Sequence, residues 1–340
     1  MRYAVYESPL HIAIKQGASP NIETPQDILI RVCYVGICSD DIPFYLMDES
    51  LMTWPFAEAV VGHEFSGIVE ELGPEAANNG FKKGDFVSGF AWHYCGACDN
   101  CRLGYENHCI NVKCTSVLAD YIVMNQNQLI VIPQSVGLKN GTLTDPVSYS
   151  LYNCMKKMKP ERFKNIMIMG IDAMSLVMVQ IVKKFGAENI VVIEPDSSKH
   201  HLASDLGATQ VLTYNKQGFI SKAMKETNYC GYDLVFEMSR DPELLFAASQ
   251  VIGIKGTILY SYMYGFDVKS NISLMELYLK EAELHPFFLA GNILPRTVNI
   301  MKSLILEPLI SKIYPLSCIN DAFEAHMSNK YVKILIDMRT

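Results

Sequence analysis

The sequence predicts an α/β protein in two domains. Residues 1–147 read as a mostly β domain, residues 148–285 as a parallel α/β unit, and residues 286–340 as a return to the first domain. Three observations carry this. A chain of 340 residues is longer than one ordinary hydrophobic core serves. From Asn165 onward, strand-like and helix-like patterns alternate at regular intervals, which is how a parallel sheet with crossover helices reads. Ahead of that point, short apolar or alternating runs are broken by Gly, Pro, Asn and Asp, a pattern of strands and turns.

In the first domain, residues 28–34 (ILIRVCY), 67–71 and 85–90 are expected strands. Cys38 follows the first of them in VGICSDD, and His63 stands beside a glycine in VGHEFSG, so each sets a metal-capable side chain at a strand end. Alone, either is an ordinary core or surface residue. Residues 95–109 (CGACDNCRLGYENHC) differ in kind, because Cys95, Cys98, Cys101 and Cys109 fall at the spacing Cys-x2-Cys-x2-Cys-x7-Cys. Four soft ligands this close suit tetrahedral zinc, and a closed four-sulfur shell leaves no position for substrate, so the site is expected to be structural. The competing reading is a disulfide framework or four incidental cysteines. Three thiols separated by two residues each suit one metal better than separate disulfides.

Composition narrows the class further. Hydrophobic residues make up 49% and charged residues 19%, a globular balance, and no apolar run nears the length that crosses a bilayer. The first residues lack a basic region followed by an apolar core and cleavage site, so the cytoplasm is the expected location. Ten cysteines there should be thiols or metal ligands. A net charge of −7 without a clustered basic tract argues against a nucleic-acid partner.

In the second domain, residues 145–158 are an expected helix, 166–169 (IMIM) a buried strand, 174–185 a helix, and 190–194 a strand ending in Glu194. SSKHHLASDLG then reads as a helix and TQVLTY as a strand. Residues 232–239 and 256–263 are the later strands, with Gly253 and Gly256 bracketing the turn before the second. Near the end, NDAFEAHMSN has the pattern of an amphipathic helix and VKILID that of a last strand.

Taken together, CSDD at residues 38–41, GHEFSG at 62–67, the four-cysteine stretch 32 residues after His63, ADYIV at 119–123 and TDPVSYSLYNC at 144–154 resemble the zinc-dependent medium-chain dehydrogenases, the alcohol, sorbitol and threonine dehydrogenase superfamily. The resemblance covers nearly the whole chain. It implies a GroES-like, mostly β catalytic domain joined to a Rossmann doubly wound parallel sheet. It also implies a catalytic zinc held by Cys38, His63 and Asp145, with Asp41 and Glu64 as supporting carboxylates. Three protein ligands leave an open position at which a hydroxyl can bind and lose its proton. Where the family usually has Ser or Thr two residues after the zinc cysteine, this chain has Asp40, which either serves as the base or points away and leaves the proton to water. After Cys109 the loop before ADYIV is cut to NVKCTSVL.

The cofactor contacts expected from this resemblance are Gly170, Asp172, Ala173, Met174, Glu194, Lys199, Ser239 and Ser261. Glu194, 24 residues beyond Gly170, is placed to bond the adenosine ribose and so to favour NAD(H) over NADP. The glycine fingerprint is degenerate: GIDAMS keeps Gly170 but has Asp172 and Ser175 at the other two glycine positions. Asp172 either turns outward or caps the helix and weakens the cofactor, or it abolishes nucleotide binding by competing for the same amides. The implied function is NAD-dependent oxidation of a secondary alcohol (a polyol, sugar alcohol, its phosphate, or a cyclitol) or the reverse reduction of a ketone, by a homodimer or homotetramer with one catalytic and one structural Zn2+. The alternative is a non-redox zinc-binding relative that has lost its nucleotide.

Overall fold

A computed structural model describes residues 1–48, 61–157, 164–215, 217–260, 268–286 and 288–340. These fall into two compact units, Met1–Ser148 with Gly291–Thr340, and Tyr149–Ala290.

The first unit is built on β-structure. Strands β1 (Arg2–Ser8) and β2 (His11–Gln16) form an antiparallel pair, followed by β3 (Asp27–Ile37), β4 (Glu64–Leu72) and β5 (Phe86–Gly89). The short β6 (Trp92–His93) and β7 (Lys113–Cys114) pair with each other on either side of the cysteine-rich stretch, and β8 (Tyr121–Asn125) and β9 (Leu129–Val131) follow. The second unit supplies β10 (Asn165–Met169), β11 (Asn189–Ile193), β12 (Gln210–Leu212), β13 (Tyr232–Glu237), β14 (Ile252–Tyr260) and β15 (Glu283–Pro286). The chain then returns to the first unit with β16 (Ile310–Pro315) and β17 (Lys333–Asp337).

The main sheet of the first unit runs β16-β17-β3-β4-β5-β9, with β8 also paired to β3. Strand β3 is its centre because Ile28, Ile30, Val32 and Val35 alternate toward one buried face, where they meet Phe65 and Val69 of β4 and Ile334 and Ile336 of β17. The register of these three strands matters for the site. Gly36 pairs with Glu64 on one side and with Leu335 on the other. The end of β3, the start of β4 and the start of β17 therefore lie side by side, and Cys38 leaves the sheet at that point.

The second unit carries a six-stranded parallel sheet in the order β12-β11-β10-β13-β14-β15. Strand β10 is buried on both faces, as the continuous run of Ile166, Met167, Ile168 and Met169 requires when helices cover a parallel sheet. The strand order, reversing between β10 and β13, is that of a Rossmann sheet, whose ligands bind at the carboxyl ends beside the reversal. One expectation is corrected here. Gly253 and Gly256 do not flank a turn but lie inside β14, where its register against β13 shifts, and a Cβ at Gly256 would come within 2.7 Å of the Tyr232 carbonyl oxygen. Close backbone approach, not a reversal of direction, explains this pair. Residues 261–263, including Ser261, lie outside the described residues.

Candidate metal and cofactor sites

Leaving β3, the chain turns through Ser39–Asp41, and Asp41 is folded back and buried. Its Oδ2 accepts the Cys38 backbone N–H at 2.9 Å, and its Oδ1 lies 3.2 Å from His63 Nδ1. Holding Nδ1 in this way turns Nε2 of His63 outward as the free ligand atom. Cys38 Sγ, a ring nitrogen of His63 and a carboxylate oxygen of Glu64 lie within 4.8 Å of one another. The indole of Trp92 covers the imidazole, its ring centroid 6.0 Å away.

The expected third ligand, Asp145, stands outside this group of atoms. It sits in the first turn of the helix Thr144–Lys157, whereas Glu64 follows His63 directly at the start of β4. Asp145 is nonetheless close enough to share the local field. Desolvation raises its pKa to about 7, His63 opposes the rise, and Glu64 and Asp40 add to it. Burial likewise pushes the Cys38 thiol up to about 11, with Asp40 contributing. For His63 desolvation works downward, but the charges of Asp41 and Cys38 outweigh it and hold the imidazole well above its ordinary value. These shifts describe a pocket that crowds several anionic donors against little positive charge, and a thiolate, an imidazole and a carboxylate together suit zinc.

The positive charge that is present belongs to Lys333, which sequence reasoning missed. Its buried Nζ donates to both carboxylate oxygens of Glu64, at 2.7 and 2.8 Å, and to the Ile37 carbonyl at 3.2 Å. A lysine inside the apolar run VKILID was a usable signal, since a charge in a buried strand must be paired. Trp92 carried no comparable signal.

The four cysteines form a separate cluster. All four Sγ atoms lie within 4.8 Å of one another, and Cys98 Sγ and Cys109 Sγ are 4.0 Å apart. Zinc–sulfur bonds of about 2.3 Å in a tetrahedron separate the sulfurs by about 3.8 Å, and a disulfide needs about 2 Å, so the spacing fits a metal and excludes cross-links. The backbone supports the charged thiolates. Ala97 N–H and Cys98 N–H point at Cys95 Sγ at 3.5 and 3.3 Å, and these amide bonds lower the Cys95 pKa to about 6.

In the second unit, Gly170 ends β10 with φ +98°, a conformation that favours glycine, and a Cβ there would press on the Met238 carbonyl at 3.0 Å. Glu194, at the end of β11, accepts the Ile171 N–H at 2.8 Å and the Asp196 N–H at 2.9 Å, which ties the acid to the glycine loop. Asp172 is the N-cap of the helix Ala173–Lys184. Its Oδ1 accepts the Ser175 N–H at 2.7 Å, and its own N–H donates to Ser175 Oγ at 2.7 Å. This reciprocal cap consumes one first-turn amide and leaves those of Ala173 and Met174 at the helix start. Lys199 is buried at the turn before the next helix. The Ser239 N–H and hydroxyl both donate to the buried Glu237 carboxylate at the end of β13.

Residues 24–134 match the family profile of the alcohol dehydrogenase GroES-like domain, and residues 173–303 that of the zinc-binding dehydrogenases. The chain belongs to the zinc-dependent medium-chain dehydrogenases. Among its medium-chain dehydrogenase relatives, the sorbitol dehydrogenase of Bacillus subtilis (strain 168) is 26% identical over 352 residues, 99% of this chain and 97% of that one. The D-arabitol-phosphate dehydrogenase of Enterococcus avium is 27% identical over 329 residues, 92% of this chain and 90% of that one. A crystal structure assigned as a zinc-binding dehydrogenase from Clostridium scindens ATCC 35704 superposes with a TM-score of 0.90 at 26% identity, covering 100% of this chain and 99% of that one. Zinc-dependent alcohol oxidoreduction with a nicotinamide cofactor on a small-molecule substrate is the chemistry of such a medium-chain dehydrogenase.

Proposed function

We propose that this medium-chain dehydrogenase oxidises a secondary alcohol of the polyol, sugar-alcohol or cyclitol class, or its phosphate, with NAD as the acceptor, and reduces the matching ketone in reverse. Two relatives that span nearly the whole chain are named for sorbitol and for D-arabitol phosphate, which supports the substrate class. The observation that carries the reading is the cluster of Cys38, His63 and a carboxylate, with Asp41 orienting the imidazole. Zinc bound there would supply a Lewis acid for the substrate hydroxyl, and a bound nicotinamide would supply the hydride acceptor. Cys38 and His63 are the assigned metal ligands, joined by Glu64 or Asp145. Asp40 is the candidate for taking the hydroxyl proton, because its charge is felt at both Cys38 and Asp145. The second metal, at Cys95, Cys98, Cys101 and Cys109, has a structural role.

NAD is the assigned cofactor because Glu194 places a carboxylate where the ribose-binding acid of a Rossmann sheet stands, and such an acid repels a 2′-phosphate. Asp172 weakens the binding without abolishing it, since its carboxylate is spent on the helix cap. Calorimetric titration of zinc-loaded protein with NAD+, NADH and NADP+ tests the reading. Saturable binding of NAD(H) and not NADP+, followed by turnover in a polyol screen, is the expected result. Failure of every nucleotide to bind, with both metals in place, would overturn it in favour of a non-redox zinc protein.

A further inference from the structure

The helix Ile319–Met327 packs through an apolar stripe that ends in a polar residue. Ile319, Ala322 and Phe323 are buried in the core of the first unit, and the half-buried His326 falls at the next helical spacing, on the same face. An imidazole in that place needs a polar partner. It has one on the opposite side of the packing: His326 Nε2 lies 3.1 Å from Ser39 Oγ, across 287 positions of sequence. The helix is itself well anchored. Asn320 exchanges two hydrogen bonds with the backbone of Ile12 on β2, at 2.8 and 3.0 Å, and the Phe323 ring packs on Tyr45 with centroids 4.8 Å apart.

Ser39 opens the turn Ser39–Asp41 directly after Cys38. The Asp41 carboxylate closes that turn from within, on the Cys38 N–H, which fixes the shape of the turn but not its tilt against the rest of the unit. Tilt is fixed by contacts with separate elements, and the Ser39–His326 pair is such a contact at the residue next to Cys38. We propose that His326 is a positioning residue, which through Ser39 sets the angle at which the Cys38 thiolate meets the metal. This rests on the reading of Cys38 as a metal ligand.

The test uses the full chain loaded with Co2+, whose visible bands report ligand geometry, with a Cys38→Ser protein loaded identically as the blank for the four-cysteine cluster. His326→Leu keeps an apolar stripe but removes the bond, and Ser39→Ala removes it from the other side. Each should shift the bands in the same direction and weaken cobalt at this site by about two- to tenfold, the worth of one ordinary hydrogen bond. The double variant should be no weaker than either single one, because both lose the same bond. His326→Gln, whose carboxamide can both donate and accept, should keep the parent spectrum. Should His326→Leu fail to fold, Ser39→Ala carries the test, since it deletes a single oxygen. Parent-like bands and affinity in the single variants that fold overturn the role of His326, as do losses that add in the double variant. A parent protein that takes up no more cobalt than the blank overturns the metal-site reading itself.

Discussion

Asp41 is the residue on which the metal site turns. One carboxylate oxygen holds the Cys38 backbone and the other holds His63, so two prospective ligands are aimed by a single side chain. Asp41→Asn keeps the size but loses the charge that orients Nδ1–H, and the metal affinity of this site should fall by roughly 10- to 100-fold, measured by competition with a chromogenic chelator. The pH dependence of loading follows from Cys38. Its thiol, held up to about 11 by burial, must lose a proton for the metal to bind, so binding releases a proton throughout the neutral range. Apparent affinity should therefore rise by about tenfold per pH unit for this proton, and chelators should strip the site more readily at pH 6 than at pH 8. A flat dependence would mean that another group, not Cys38, supplies the ligand. Cys38, His63 and Asp41 could all be named from the sequence because each sits in a short local motif. Lys333 is marked in the sequence only as a charge within the apolar run VKILID, and its partner Glu64 is not readable there because it lies 269 positions away.

Among the elements, the helix Ala173–Lys184 is the one whose start decides cofactor affinity. Its first turn is stabilised by Asp172, which accepts the Ser175 N–H and so occupies an amide in the region that would otherwise face a diphosphate. Replacing an Asp cap with glycine costs only a few tenths of a kcal/mol in helix stability. Asp172→Gly should therefore tighten NAD(H) binding severalfold by calorimetry while leaving the thermal midpoint within a degree or two. Weaker binding in this variant would mean that Asp172 helps to place the cofactor. The sequence left open whether Asp172 competes with a nucleotide or caps the helix. Its side chain folds onto the Ser175 amide, so it caps the helix and by the same bond takes up an amide that a nucleotide could use, a side-chain direction that no pattern of residue types records.

At the scale of the whole molecule, the second unit shows an apolar surface on the helix Leu274–Lys280. Leu274, Met275, Tyr278 and Leu279 are 65–78% exposed, with Ile254 of β14 at 79%. A contiguous apolar face of this kind is an association surface more often than a solvated one. The strand β15, the last in the sheet order, can add to it by pairing with a second copy. Antiparallel pairing about Leu284 would set Glu283 opposite the second copy's His285, an isologous arrangement of two groups that already meet within one strand at 2.7 Å. Sedimentation equilibrium should give a dimer or tetramer, and Tyr278→Glu with Leu279→Glu should shift it toward monomer without changing metal content. A parent protein that sediments as a monomer at micromolar concentration would remove the assembly from the account.

What the sequence by itself determined is whatever rests on near neighbours. Alternating strands and helices announce a parallel sheet through backbone periodicity, and four thiols within residues 95–109 announce a metal because the chain between them is too short to separate them. The GHE and CSDD motifs place His63, Cys38 and Asp41 for the same reason. Only the tertiary structure decided which carboxylate stands beside Cys38 and His63, because Glu64 and Asp145 are equally good donors on paper. The place of Glu64 is set by the register of β3 against β4 and β17, which brings Gly36, Glu64 and Lys333 to one point, and that of Asp145 by the start of the helix Thr144–Lys157. Ligand identity at such a site depends on separations of a few ångströms between residues far apart in the chain, and those separations are a property of strand pairing, not of composition or spacing.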